Sequence, residues 1–587
     1  MPIRFEEEKM KKRLLCLLLC FVFVLGMLAG CSQKTDEEAI DDKTEEASKS
    51  AITLGMYLLS EKEVSAAQAQ KIEDAVNEIT KEQFKIQLEL HFYTEDKYYT
   101  ELEKNFQKMT TVQDEREDEE TSVETDENGD EVTTEEETML NELGQVVLKY
   151  PTISDYQVDI FYFSGYDRYT EYYNKNYLSR LEDEVLQDVR PSINSLYLDS
   201  LKALNKKRAY AIPTNGKIGE YTYLLVNKTV MNQMHKAASD FTSLTCSEVQ
   251  DLLAYTNQHY RDTYIPLYSE SDLLDFHNFQ YWGLDENNKL SNDFSLLGGA
   301  INDSLIYMEE GSYVPAGSVL QNSNFTDGVK VMKSYEFNGY FGTDAELKSD
   351  KKFAVGYVKG GAELVEEYGD EYEMIVLAKP QLTTADLYGN MFGIFGTCMN
   401  STRAMDILTY MNTNVAFRNL LLYGIEGENY EMVDSEYEDE EGVPYQVVRR
   451  LNNDYIMDVN KTGNTLLAYT LEGNNPLMNE YAKKQNLDAV PCLYLGFDLS
   501  YNNLKLDTTG AKNLREYSAQ VYDEIMACKT PEELNSYLIN MTNRFSTDAT
   551  LARLMQSAGS NNGGTSKACS VAYIYYQWLN ANKIYKG

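Results

Sequence analysis

Residues 52–92 read ITLGMYLLSEKEVSAAQAQKIEDAVNEITKEQFKIQLELHF, and three periodicities follow one another along them. Ile52 to Leu59 is an apolar run of strand length. Ile72, Ala75, Val76 and Ile79 then recur at i, i+3, i+4 and i+7, the spacing that gathers them on one face of a helix. Ile86, Leu88, Leu90 and Phe92 alternate, as a strand with one face turned inward requires. Strand, helix, strand in so short a span is a βαβ unit, which predicts a parallel sheet covered by helices. The next apolar run, VDIFYF at 158–163, is nearly continuous, as in a strand buried on both faces, and a helix over Tyr169 to Leu181 follows it. The expected fold class is α/β.

Further strands are expected at Tyr221 to Val226, Phe353 to Val358, Glu373 to Leu377 and Phe392 to Phe395. Behind the last, Ser401 is placed to cap a helix with Ala404, Ile407, Leu408 and Met411 along one face. Thr530-Pro531-Glu532-Glu533 puts a cap, proline at the first helical position and glutamate at the third in capping-box order. Trp578 falls in AYIYYQWL, a run expected to pack as a helix, whereas Ser557 to Ser566 reads as a loose stretch.

At 587 residues, with 43% hydrophobic and 12% aromatic side chains, the chain is long enough and apolar enough for two or more lobes with real cores. A net charge of −41 excludes nucleic acid as a partner, because affinity for a phosphate backbone comes from cationic neutralisation. Part of the acidity is concentrated between Thr111 and Thr138, in DEREDEE and TDENGDEVTTEEE. The carboxylates there miss the spacing of a calcium loop, so the segment is expected to be a disordered, solvated insertion. The four histidines are scattered, and Cys246, Cys398, Cys492, Cys528 and Cys569 show no C-x-x-C spacing. No metal and no cofactor are expected, and one or two disulfides are possible. No G-x-S-x-G or phosphate-loop motif occurs, and in so acidic a chain nominating a carboxylate pair for glycoside hydrolysis carries no information; no enzyme is expected.

At the N-terminus, Lys11, Lys12 and Arg13 precede an apolar run from Leu14 to Leu28 that ends in Leu28-Ala29-Gly30-Cys31. This is the order of a signal peptide, and Met10 makes a better start for it than Met1, which is followed by Glu6, Glu7 and Glu8. The last four residues resemble the bacterial lipobox, whose cysteine is diacylglycerylated and becomes the mature N-terminus. The resemblance implies lipid attachment at Cys31, with residues 1–30 removed and 31–50 serving as a flexible polar tether.

Several segments, in order, resemble the family 1 extracellular solute-binding proteins, the sugar-type receptors of ABC importers. They are Asp159 to Leu181, Lys207 to Met231 (with Val226 where the family has tyrosine), Phe353 to Tyr357 and Phe392 to Met411. Leu422 to Tyr430, Thr462-Gly463-Asn464 and Lys484-Gln485-Asn486 are similar to the subgroup handling oligosaccharides, and together the matches cover residues 52–545. The resemblance implies a two-lobed periplasmic-binding-protein-like fold with a hinge and an interlobe ligand cleft. Lobe crossings are expected near Ile212, Leu377 and Leu420, giving a first lobe of 51–211 and 377–420 and a second of 212–376 and 421–587. The implied partners are an oligosaccharide, ABC permease subunits and the membrane, and the implied state is a monomer. Candidate ligand contacts are Tyr57, Ser164, Gly165 and Tyr166 at strand ends, Tyr221 at the first crossing, Trp282 as a stacking face, and Tyr357 and Asn390. A sensor of the same fold and a surface glycan-processing enzyme are the alternative functions.

Overall fold

The computed structural model describes residues 50–582 apart from 118–138, 141–145, 148, 271, 277–278, 292, 301–316, 493, 498, 500–503, 548–567 and 570. The expected signal peptide, Cys31, the expected tether up to residue 49, most of the acidic insertion and the stretch expected to be loose at 557–566 lie outside the described residues. The chain divides into two units, Met1–Thr53, Thr80–Gln87 and Thr121–Thr152 forming one and the remainder the other. Within the first, the Ile52 amide donates to Lys85 O at 3.2 Å, and Met139–Leu140 pairs antiparallel with Val146–Val147.

The strands that build the two main sheets and their connections are, in chain order, β1 (Ile52–Ser60), β2 (Ile86–Thr94), β3 (Ile160–Phe163), β4 (Ile212–Pro213), β5 (Tyr221–Asn227), β6 (Tyr264–Ser269), β7 (Lys352–Gly360), β8 (Tyr372–Ala378), β9 (Gln381–Leu382), β10 (Met391–Ile394), β11 (Tyr430–Glu438), β12 (Pro444–Arg450) and β13 (Val490–Pro491). The helices used below are α1 (Ala66–Phe84), α2 (Glu95–Glu117), α3 (Tyr166–Asn174), α4 (Ser401–Thr413), α5 (Val415–Tyr423), α6 (Met478–Asp488), α7 (Thr508–Ala527), α8 (Pro531–Thr547) and α9 (Val571–Asn582).

The first sheet has the order β2-β1-β3-β10-β4 and the second β8-β5-β7-β6. Both are mixed. β1 and β3 are parallel, with Met56 opposite Ile160, as the βαβ pattern predicts. β10 is antiparallel to β3 and to β4, against the expectation of a parallel sheet, because the chain re-enters this sheet from the second one. In the second sheet β5 is antiparallel to β7 and β8, while β7 and β6 are parallel. All nine residues of β1 are buried, and Ile72 and Val76 of α1 turn inward as their spacing predicts.

Four expectations need correcting. The helix expected over 169–181 is α3, which starts earlier and stops at Asn174. Asn400, not Ser401, occupies the cap of α4. Leu420 is not at a crossing but inside α5, whose Asn419 side chain donates to Leu467 O at 2.9 Å and accepts from the Tyr469 amide at 2.8 Å. Residues 425–461, expected with the second lobe, are bonded to first-lobe elements. Gln68 donates to Asn429 at 3.2 Å, the Glu61 amide donates to Ile456 O at 3.1 Å, and Lys461 pairs with Glu61 at 2.7 Å.

Other features are as expected. The Glu533 amide donates to Thr530 Oγ1 at 3.2 Å, while the Glu533 carboxylate accepts from the Lys529 amide. Trp578 is buried in α9 against Phe497 and Tyr575. Cys246, Cys398, Cys492 and Cys528 are free thiols, so the possible disulfides do not form among them.

Candidate functional site

Two segments join the sheets. The first crossing, residues 214–220, leads from β4 to β5; the second, residues 379–390, leads from β8 to β10. Beside them lies a cavity of about 1040 Å³. Gly219, Glu220, Lys379, Gln381 and Thr383 from the crossings form one wall, and Thr222, Tyr357, Lys359 and Ala378 from the second sheet form another. The segment 272–295 contributes Tyr281, Phe294 and several carboxylates, and α7 closes the far side.

Helical and strand periodicities explain which residues reach this space. Ala511, Leu514, Arg515, Ser518, Ala519, Tyr522 and Asp523 line it and recur with the helical repeat, so one whole face of α7 is turned to the cavity. On β5, Thr222 faces the cavity, whereas Tyr221 and Tyr223 point the other way into a core cluster with Leu225, Val358 and Tyr372. On β7, Tyr357 and Lys359 face the cavity and Val358 faces that core.

Aromatic rings and carboxylates dominate the chemistry of the wall. Tyr281 and Phe294 meet edge-on at 5.1 Å, and Phe294 lies 5.6 Å from Tyr522. The Tyr522 hydroxyl lies 2.7 and 2.6 Å from the two carboxylate oxygens of Asp272 and donates its one proton to that carboxylate, and burial together with this bond pushes its phenol up to about 12. Lys359 pairs with Asp275, and burial pushes the Tyr357 phenol up. Arg515 donates to Asn288 Oδ1 at 3.3 Å. Rings offer faces to the apolar side of a ligand, and carboxylates and hydroxyls offer fixed acceptors and donors.

The expected contacts divide into three groups. Tyr357 alone of the eight lines the cavity. Ser164, Gly165, Tyr166 and Asn390 come together at the first sheet: the Gly165 amide donates to Tyr388 O at 2.7 Å, Tyr166 meets Tyr388 edge-on at 5.0 Å, and Asn390 Oδ1 accepts from Tyr162 at 2.5 Å. Gly165 takes φ 92° to turn the chain into α3, a conformation that glycine adopts without strain. Ser164 Oγ lies 3.2 Å from the Tyr99 hydroxyl, and the Arg168 guanidinium covers the Tyr99 ring.

Tyr57, Tyr221 and Trp282 are core residues. Tyr57 is not at a strand end, because β1 continues to Ser60; it is fully buried, with its hydroxyl bonded by Asn105 at 2.9 Å. Tyr221 donates to Asp488 at 2.9 Å on the core side of β5. Trp282 lies between the cavity-lining Tyr281 and Gly283 and points away from them, onto Tyr575 at 4.5 Å. Tyr221 thus lies on an expected strand with its side chain on the face away from the cavity, and Trp282 lies beside the cavity wall with its ring turned into the core. Sequence reasoning missed Tyr281, Phe294, Tyr522 and Arg515; for the last two, the small and polar residues repeating along 511–523 were the available signal.

Two mixed sheets, each covered by helices, joined by crossing segments with a cavity beside them, make a two-lobed α/β fold of the periplasmic-binding-protein type. No protein-family model and no curated protein matches the chain. Among solved structures it is similar to the N-glycan transport solute binding protein (NgtS) of Streptococcus pneumoniae, at 16% identity over 90% of this chain and 99% of that one, with a TM-score of 0.44. An extracellular solute-binding protein from Bifidobacterium longum subsp. infantis is similar at 13% identity over 92% and 99%, with a TM-score of 0.38. The extracellular solute-binding protein of Staphylococcus aureus in complex with maltose is similar at 12% identity over 84% and 98%, with a TM-score of 0.35. All three are solute-binding proteins by name.

Proposed function

We propose that the protein is the extracytoplasmic solute-binding lipoprotein of an ABC importer, held to the membrane through a lipid on Cys31, which captures an oligosaccharide and delivers it to a permease. The observation that carries this reading is the cavity beside the crossings, with about 1040 Å³ of space and the rings of Tyr281, Phe294, Tyr357 and Tyr522 on its walls. That is at the upper end of the volumes that enclose a drug-sized ligand, enough for more than one sugar ring. Ring stacking serves the apolar faces of a sugar, and carboxylates such as Asp272, Asp293 and Asp523 accept from its hydroxyls. Carboxylates outnumber cationic groups along the wall, which favours a neutral saccharide over an anionic one. Capture requires no chemical step; closure of the lobes about the crossings removes water from the ligand.

Thermal unfolding of the purified protein across neutral mono- and oligosaccharides, maltose included, with uronic-acid saccharides and peptides as controls, tests this. A ligand present at about 100 times its dissociation constant stabilises the native state by about 2.7 kcal/mol, so a selective upward shift is expected with a neutral saccharide that is recovered intact. A well-folded sample that responds only to peptides overturns the saccharide reading, and recovery of cleaved saccharide overturns the non-enzymatic one.

A further inference from the structure

We propose that Gln485 and Asn486, near the end of α6, are positioning residues for the cavity. Their amide side chains splint the first crossing and hold it against the second, fixing the wall formed by Gly219, Glu220 and Gln381. This rests on the reading of the cavity as the ligand site. The Lys-Gln-Asn run carries a family resemblance in sequence but no role follows from it there.

Asn486 Oδ1 accepts from the Ile218 amide at 2.8 Å, and its Nδ2 donates to Gly216 O at 2.9 Å. Gln485 Nε2 donates to Ile218 O at 2.8 Å and to Gly219 O at 2.6 Å, while its Oε1 accepts from the Ala362 amide at 3.0 Å. Both side chains are buried. Ala362 follows β7, the strand that presents Tyr357 and Lys359, so one glutamine ties two walls together. Immediately downstream, β13 pairs with β9 in the second crossing, the Val490 amide donating to Pro380 O at 2.9 Å and the Cys492 amide to Leu382 O at 3.0 Å.

Residues 485–492 therefore grip both crossings at the point where they touch. At Gly219 (φ 46°) an added Cβ would lie 2.9 Å from the backbone N and O of Gln381. A primary amide is needed at position 485 because two carbonyls require donors and one amide requires an acceptor. A carboxylate meets only the acceptor's requirement and sets a charge against two carbonyl oxygens; methionine meets neither.

The test is backbone hydrogen exchange of the ligand-free protein, comparing Gln485→Glu, Gln485→Met and wild type. Exchange at residues 216–221 is expected to accelerate at least tenfold in both variants. Exchange at 361–364 should accelerate only in Gln485→Met, with β1 and β3 unchanged. Unaltered exchange at the crossing, or a uniform acceleration across both sheets, overturns the proposal. Should Gln485→Met fail to fold, Asn486→Asp, which keeps the acceptor for Ile218 and loses the donor to Gly216, gives the second reading: faster exchange at 216–221 supports the splint and unchanged exchange refutes it. Affinity for whichever saccharide shifts the wild-type melting temperature is expected to fall about tenfold in Gln485→Glu. If no saccharide binds the wild type, the ligand reading fails, while the exchange data still decide whether the splint exists.

Discussion

The two crossings are held in different ways. The second is held mainly by backbone, β9 pairing with β13 through main-chain bonds that any non-proline residue supplies, with Thr384 Oγ1 accepting from the Gly496 amide at 2.8 Å and Asn390 Oδ1 from Tyr162 as side-chain additions. The first is held largely by side chains. Thr465 Oγ1 lies 3.0 and 2.8 Å from Thr214 O and Asn215 O and shares its one proton between them, Asn464 Oδ1 accepts from Asn215 at 3.0 Å, and Gln485 and Asn486 take the groups that follow. Asn215 itself has φ 56°, an angle that asparagine tolerates better than most residues. A segment held by backbone is robust to substitution, whereas one held by buried amides depends on a few residues whose loss strands several polar groups at once.

The largest contrast should come from Asn464→Leu set against Lys379→Ala. Asn464 Nδ2 donates to Ser192 O at 2.9 Å and Asn412 O at 3.1 Å, its Oδ1 accepts from Asn215 and from the Leu466 amide, and it is fully buried. At about 1–3 kcal/mol for each stranded group, with partial relaxation, the expected loss is about 4 kcal/mol. Lys379→Ala removes an exposed side chain beside β9, leaves the backbone pairing with β13 intact and should change stability by about 0.5 kcal/mol or less. Denaturant unfolding midpoints measure both. Equal losses would mean that the two crossings are not held differently.

A smaller effect is expected where the crossings meet. Gly219→Ala combines a left-handed backbone angle with a Cβ pressed on the backbone of Gln381, and should cost about 2 kcal/mol. Because the obstacle is backbone rather than a flexible side chain, it cannot swing aside; the two crossings must separate. The same variant should therefore show faster exchange at both 216–221 and 379–383, where a splint mutation affects mainly the first. Acceleration confined to one crossing would show that the contact at Gly219 does not couple them.

How much of this was legible in the sequence follows from the same contrast. Strands were readable because burial on one or both faces imposes a periodicity of two or a continuous apolar run, as in β1, β3 and β5. Tyr357 was legible as a residue that lines the cavity, but Tyr221 was not distinguishable from Thr222, since which face of β5 meets a core and which meets a cavity depends on the lobe it packs against. The cavity face of α7 was visible only as an interruption of apolar residues by Arg515, Ser518 and Asp523. The bracing amides stood out only through the resemblance, and their role was illegible: Asn464 and Gln485 reach partners some 250 residues away, and no local pattern marks a polar residue as buried.

The smallest effect is silent at neutral pH and appears in alkali. Tyr223, on the core side of β5 just after the first crossing, has its phenol pushed up to about 12, first by burial and then by the nearby Glu363 and Asp488. Both carboxylates belong to the apparatus around the first crossing, Glu363 pairing with Lys217 at 3.1 Å and Asp488 accepting from Tyr221. The folded state favours the neutral phenol, so its contribution to stability is complete below the ordinary tyrosine value of about 10 and is lost as pH rises through about 12. Unfolding free energy of the wild type should thus decline between about pH 10 and 12, and Tyr223→Phe, which has no proton to lose, should flatten part of that decline without altering stability near neutral pH. A decline of the same slope in the variant would assign the alkaline sensitivity to other tyrosines and leave the first crossing no more sensitive to pH than the second.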